Sequence, residues 1–227
     1  MIHHLIFHSA IALTPTIETF ELNRSHVTGE QCKTLVREGL LKLPKLKVLN
    51  LSYNRIKNDG ALAIARLLTD EVAHAPRTLH TVHLARNWIK SKGGKALAFA
   101  LTKNSYLAFL DLRMNFMGDA AGRDLGHALV KNQALLSLNV AANRLTAASC
   151  PILGKMLQHN ETLRELDLSS NELTKKGSLI VTMSLWSLCT FLKNLHWRGS
   201  PIIMYFFCNR RRMDCNRNAW EQKFTPS

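Results

Sequence analysis

Acidic residues are scarce in this 227-residue chain: 16 Asp and Glu stand against 30 Lys and Arg, a formal net charge of +14. The shortage disfavours a basic partner and suits a protein with an acidic surface. Nucleic acid is compatible with the charge but is not called for by it, because net charge reports solubility and non-specific attraction first. Cysteine is sparse as well. The five (Cys32, Cys150, Cys189, Cys208 and Cys215) are odd in number, and no two are spaced C-x-x-C. That excludes a disulfide framework or a structural zinc site as the organising device and predicts a reducing compartment. No apolar run reaches the roughly 18 residues that a membrane span needs. The nearest, 178–208, is broken by Lys193, His196 and Arg198. The N-terminus, Met1-Ile-His-His-Leu-Ile-Phe-His8, lacks the Lys/Arg start of a secretory signal. No glycine-rich phosphate loop is present, since Gly93-Gly94 falls where a repeat begins its helix.

What the chain does have is self-similarity. Leu46-Lys-Val-Leu49-Asn-Leu51-Ser-Tyr-Asn54 returns as Leu79…Val82-His-Leu84…Asn87 and as Leu107…Leu110-Asp-Leu112…Asn115. It returns again as Leu135…Leu138-Asn-Val140…Asn143 and as Leu163…Leu166-Asp-Leu168…Asn171. The asparagines are 33, 28, 28 and 28 residues apart, and a weaker copy (Ile17, Phe20, Leu22, Ser25) precedes them. Each Asn is followed by a small residue (Gly60, Gly93, Gly122, Ser149, Gly177) and then by an apolar pair at helical spacing, such as Ile64 and Leu68 or Leu125 and Leu129. Each unit therefore predicts a strand, a turn and a returning helix. One unit cannot bury its own apolar face, whereas stacked units share a continuous core.

The expected fold is α/β, a leucine-rich-repeat solenoid shaped as a horseshoe arc, with parallel strands on the concave face and helices on the convex face. A 28-residue period resembles the ribonuclease-inhibitor-like class. The expected organisation is an N-terminal extension over 1–16, about six repeats over 17–190, and a degenerate cap with a basic tail over 191–227. Asn54, Asn87, Asn115, Asn143 and Asn171 are expected to form an interior ladder, because a buried amide without partners is costly. The five extra residues between Leu68 and Leu79, around Pro76, predict a surface loop. Leu192…Leu195-His-Trp197…Ser200 reads as one more strand. Beyond it, the apolar run Pro201–Phe207 must be covered, and Arg210, Arg211, Arg212 and Arg217 form a basic cluster. The tail is either a degenerate cap with a basic extension or the end of a truncated or alternatively spliced form, the second favoured by the abrupt loss of repeat.

Residues between the strand leucines project onto the concave face. There Tyr53, His83, Arg86, Asp111 and Arg113 make a mixed-charge patch, with Tyr and Arg as the anchors that protein contacts favour. His80 and His83 lie three apart on a strand, which is poor geometry for a shared metal. No Ser or Cys nucleophile stands beside His83 and Asp111. The reading has no catalytic residue, no metal and no cofactor.

The runs Leu49-Asn-Leu-Ser-Tyr-Asn-Arg-Ile56, Leu112-Arg-Met-Asn-Phe-Met-Gly-Asp119 and Asn143-Arg-Leu-Thr146 resemble the dynein regulatory complex subunit 5 family. The resemblance covers roughly Phe20 to Gly177. It implies a non-catalytic scaffold of the nexin–dynein regulatory complex, which restrains dynein-driven sliding in motile cilia and flagella. Its partners would be other axonemal subunits of that complex, with no small-molecule substrate, nucleic acid or membrane, and its place the cytoplasm, cytoskeleton and axoneme. The extra N-terminal region of that family is missing here, and the tail after Ser178 departs from its pattern. The alternatives are a regulator of a small GTPase, disfavoured by the basic end, and an innate-immune or inhibitor-type binding module.

Overall fold

The computed structural model describes residues 16–69, 76–191, 203–208 and 211–214. The weaker first copy and each full repeat supply a three-residue strand: β1 Thr19–Glu21, β2 Val48–Asn50, β3 Thr81–His83, β4 Phe109–Asp111, β5 Ser137–Asn139 and β6 Glu165–Asp167. Helices follow them in turn: α1 Gly29–Glu38, α2 Lys57–Leu67, α3 Ser91–Leu101, α4 Gly118–Lys131, α5 Cys150–His159 and α6 Thr174–Phe191. The strands pair in chain order, all parallel, with Phe20, Leu49, Val82, Leu110, Leu138 and Leu166 in one register. These central residues are buried while their strand neighbours on both sides are less so, and the leucines two positions on (Leu51, Leu84, Leu112) return to the interior. With the helix leucines they form one continuous core from Phe20 to Val181. Neighbouring strands sit about 4.8 Å apart, whereas packed helices need about 8–10 Å. A layer of each therefore bends the array with strands inside and helices outside.

Beyond β6 the chain departs from its own rhythm. α6 runs for 18 residues, so the chain comes back to the sheet late. The next strand described is β7, Ile203–Cys208, parallel to β6 with Met204 opposite Leu166. β8, Arg211–Asp214, turns back antiparallel on β7. The strand expected at Leu192–Ser200 lies outside the described residues, but the place beside Leu166 that it would fill belongs to β7. Part of the apolar run Pro201–Phe207 is thus a sheet strand, and two of the cluster arginines lie in the last strand. The extension at 1–15, most of the loop before Leu79, and Arg210 and Arg217 also fall outside the described residues.

The asparagine side chains run along the inner turn. Asn115 Nδ2 donates to the carbonyls of Leu84 and Leu112 at 3.0 and 2.8 Å, and its Oδ1 accepts from the Asn87 and Ile89 amides, both at 3.0 Å. Asn54 and Asn171 likewise accept two amide protons from the preceding repeat. Asn87 and Asn143 each accept one, at 3.4 Å. This alternation is part of a two-repeat period. The left-handed residue after the turn is His26, Trp88 and Arg144 in one set of repeats, but Lys57, Gly118 and Thr174 in the other. A short parallel bridge follows within each pair of repeats: Thr28 with Arg55, Lys90 with Phe116, and Thr146 with Glu172. Between pairs, a side chain at the helix start closes the step. Asn58 accepts from the Lys90 and Gly93 amides, and Asp119 accepts from the Thr146 amide and hydroxyl at 2.7 and 2.6 Å.

The Asp119 clasp makes one junction of the array pH-sensitive. Burial alone would raise its carboxyl. The bonds from the Thr146 side chain and amide, from Ser149, and the charge of Arg123 outweigh burial and hold it below its ordinary 3.8. A group depressed on folding stabilises fully above its unfolded value and loses that contribution as pH falls through the folded one. Urea midpoints of the wild type and Asp119→Asn are therefore expected to differ by a constant amount at neutral pH and to converge below 3.8. A gap unchanged by acid would refute the clasp as the cause.

Candidate protein-binding face

The five residues of the concave patch separate into two groups of different geometry. His83, Asp111 and Arg113 form the first. β3 and β4 put His83 directly opposite Asp111. Asp111 Oδ1 accepts the Arg113 amide at 3.0 Å, a local turn bond that also recurs at Asn50, Asn139 and Asp167. Its Oδ2 lies 3.3 Å from Arg113 Nε and 3.9 Å from His83 Nδ1. The first distance is an ion pair; the second is a contact too long for a hydrogen bond. The His83 ring rests on Phe109, with centroids 5.0 Å apart. The Asp111 side chain is only 6% exposed against 48% for Arg113, so the carboxylate is a buried post that holds an exposed guanidinium upright. Ser52, Ala85, Ala141 and Ser169, which share Arg113's place in their repeats, are buried. Arg113 consequently rises from a floor of small residues.

Tyr53 and Arg86 form the second group, at the position just before the ladder asparagine. The chain there adopts φ of 61° and 53°. Arg24, Met114, Ala142 and Ser170 do the same in the other repeats. A left-handed non-glycine residue costs roughly 1–2 kcal/mol. Because every repeat carries it, the strain belongs to the solenoid turn and not to a site. Its effect is to swing these side chains off the strand face onto the rim where strands become turns. On that rim Arg24 and Arg86 lie over the Tyr53 ring, 4.9 and 5.6 Å from its centre. Arg55 lies 5.6 Å over Trp88, and Arg144 lies 4.5 Å over Phe116. Together Arg24, His26, Tyr53, Asn54, Arg55, Arg86 and Trp88 line a shallow pocket of about 380 Å³.

Arg24 shares the strand column of Tyr53 and Arg86, whereas Arg55 and Trp88 escape a reading confined to the strand columns. The signal that would have found them is the column one past the asparagine, where Arg55, Trp88, Phe116 and Arg144 follow one another. A second ladder is equally absent from that reading. Asn104, Asn132 and Asn160 are buried at the helix ends, each donating to the preceding repeat (Leu68, Leu101 and Leu129 carbonyls) and accepting two local amides. Their spacing of 28 was plain in the sequence. Among the described residues no three His, Cys, Asp or Glu side chains gather to hold a metal, and no helix is long and apolar enough to cross a membrane. Burial pushes the thiols of Cys32 and Cys150 up to about 12 and about 11, the second helped by the Asp119 charge.

A family match agrees with this geometry. The leucine-rich repeat family model matches residues 42–65, 75–98 and 159–177. Among solved structures, the chain is similar to the actin-binding site 2 of leiomodin-1, with 14% identity, 81% of this chain and 90% of that chain covered, and a TM-score of 0.47. It is also similar to the tropomodulin C-terminal domain of Caenorhabditis elegans, with 12% identity, 84% and 99% covered, and a TM-score of 0.49. No curated protein matches the chain. The fold is a leucine-rich-repeat solenoid, an architecture that generally serves as a protein-binding module.

Proposed function

We propose that the chain is a non-catalytic scaffold that holds other protein subunits on its strand face and adjoining rim. The observation that carries this reading is the pair of fixed arginines. Arg113 is held by the buried Asp111 carboxylate, and Arg86 is laid against Tyr53. Side chains already ordered lose less freedom on binding, which is what makes Tyr and Arg effective anchors. The runs at Leu49–Ile56, Leu112–Asp119 and Asn143–Thr146 support a more specific place, a structural subunit of the nexin–dynein regulatory complex in motile axonemes. The partners would then be other subunits of that complex.

A tagged full-length chain expressed in ciliated cells tests both levels. It is expected in the salt-washed axonemal fraction together with other regulatory-complex subunits, and Arg113→Ala with Tyr53→Ala is expected to release much of it to the soluble fraction. A wild-type chain found wholly in the soluble fraction overturns the axonemal assignment. Retention indifferent to both substitutions overturns the face.

A further inference from the structure

The rim around Tyr53 is positive to a degree that the strand face is not. Arg24, Arg55 and Arg86 are exposed, and none has a carboxylate within ion-pair distance among the described residues. No acidic side chain lines the pocket between them. Three unpaired guanidinium groups converging on one hollow repel one another, so the arrangement is relieved by an anionic occupant. We propose that this rim is a docking ledge for an acidic linear peptide segment of a partner protein, bound across the first three repeats.

The geometry favours peptide carboxylates over the bases of a single-stranded nucleic acid. Base binding needs free aromatic faces on which to stack. Tyr53 stands between Arg24 and Arg86, which occupy equivalent positions in the repeats on either side, and Trp88 carries Arg55 on its ring. These cation–π contacts occupy the rings from the arginine side and leave the planar N–H forks of the guanidinium groups free at their edges. Those forks match carboxylates bidentately. Spacing gives the register. Arg24 and Arg86 are two repeats apart, about 10 Å at the strand separation. A peptide in the extended three-residue helix repeats each side-chain direction every three residues, about 9 Å. Acidic residues three positions apart therefore meet both arginines from one side, with Arg55 in the repeat between them.

This inference rests on the protein-binding reading and is tested separately from it. The probe is a fluorescein-labelled peptide of Glu-Pro-Ala repeats, titrated with the full chain by fluorescence anisotropy beside its Gln-Pro-Ala counterpart and labelled oligo-deoxythymidine. The Glu peptide is expected to bind and the Gln peptide not. Arg24→Ala with Arg86→Ala should weaken binding at least about tenfold. Lys92→Ala with Lys95→Ala, which removes the same charge from the outer face of α3, should change it by less than about twofold. Arg24→Lys with Arg86→Lys keeps the charge but not the fork, and should lose most of the affinity. Equal losses in the two alanine pairs mean attraction by net charge alone and overturn the ledge, as does tighter binding of the oligonucleotide through the same arginines. A chain that enters axonemes but ignores the Glu peptide loses the ledge and keeps the scaffold; the reverse result keeps the ledge and loses the axonemal assignment.

Discussion

Asn115→Ala is expected to cost the fold about 4 kcal/mol, more than an ordinary core truncation at the same depth. The side chain is 1% exposed. It donates to the carbonyls of Leu84, Leu112 and, weakly, Arg113, and accepts from the amides of Asn87 and Ile89. Those two amides make no other hydrogen bond among the described residues. Alanine leaves both amides and the Leu84 carbonyl stranded in a turn closed to water, at about 1–3 kcal/mol for each group not rescued, while the Leu112 and Arg113 carbonyls keep bonds from Asn143 Nδ2 and the Arg86 amide. Asn87→Ala should cost about half as much, because Asn87 Oδ1 accepts one bond at 3.4 Å where Asn115 accepts two at 3.0 Å. Asn115→Asp keeps the acceptor and loses the donors, and should fall between. Urea unfolding followed by far-UV circular dichroism orders the three. An Asn87→Ala cost equal to that of Asn115→Ala would mean that the alternation carries no energy.

That alternation marks the limit of what the sequence shows. The 28-residue period is written in leucines and asparagines, each of which occupies an interior point that no other side chain fills, so the fold and the inner ladder are legible. The outer ladder was legible too: Asn104, Asn132 and Asn160 have the same spacing and lie at the other end of the helices. The two-repeat period was not. Its signature is a left-handed residue one or three past the asparagine, and Trp88, Arg144, Lys57 and Thr174 adopt that conformation alongside Gly118 although their side chains do not announce it. A glycine at each would have announced it. Of the binding patch, the opposition of His83 and Asp111 follows from repeat register alone. The removal of Tyr53 and Arg86 to the rim depends on a backbone turn that side-chain periodicity does not encode, and with it went the recognition of Arg55 and Trp88. The place of β7 depends on the length of α6, where the apolar pattern no longer specifies an end.

Gly94→Ala should destabilise the array by about 2 kcal/mol although it replaces the second-worst helix former with the best. Taken by itself, the exchange favours a helix by about 1 kcal/mol, and Gly94 sits within α3 at an ordinary φ. Packing reverses the sign. A Cβ at Gly94 would stand 2.5 Å from Ala121 Cβ on α4 and 3.1 Å from Sδ of Met117, the residue that precedes α4. Ala121 Cβ is fixed to the backbone and has no rotamer to yield, so the two helices must part by about 1 Å to restore ordinary carbon contact. The strands beneath them are tied by hydrogen bonds from Val82–Leu110 onward, so parting on the outside cannot be shared by a rigid shift and opens the core at one repeat junction. Gly126→Ala is the control. Its nearest obstacle is Ile152 Cγ2 at 2.6 Å, the branch methyl of a partly exposed side chain that a change of χ1 moves away at modest cost, and its cost should be under about 1 kcal/mol. Equal unfolding midpoints for the two variants would show that helix spacing in this array is soft. A clear loss at Gly94 alone would show that the spacing of α3 and α4 is set by the close approach of Gly94 to Ala121.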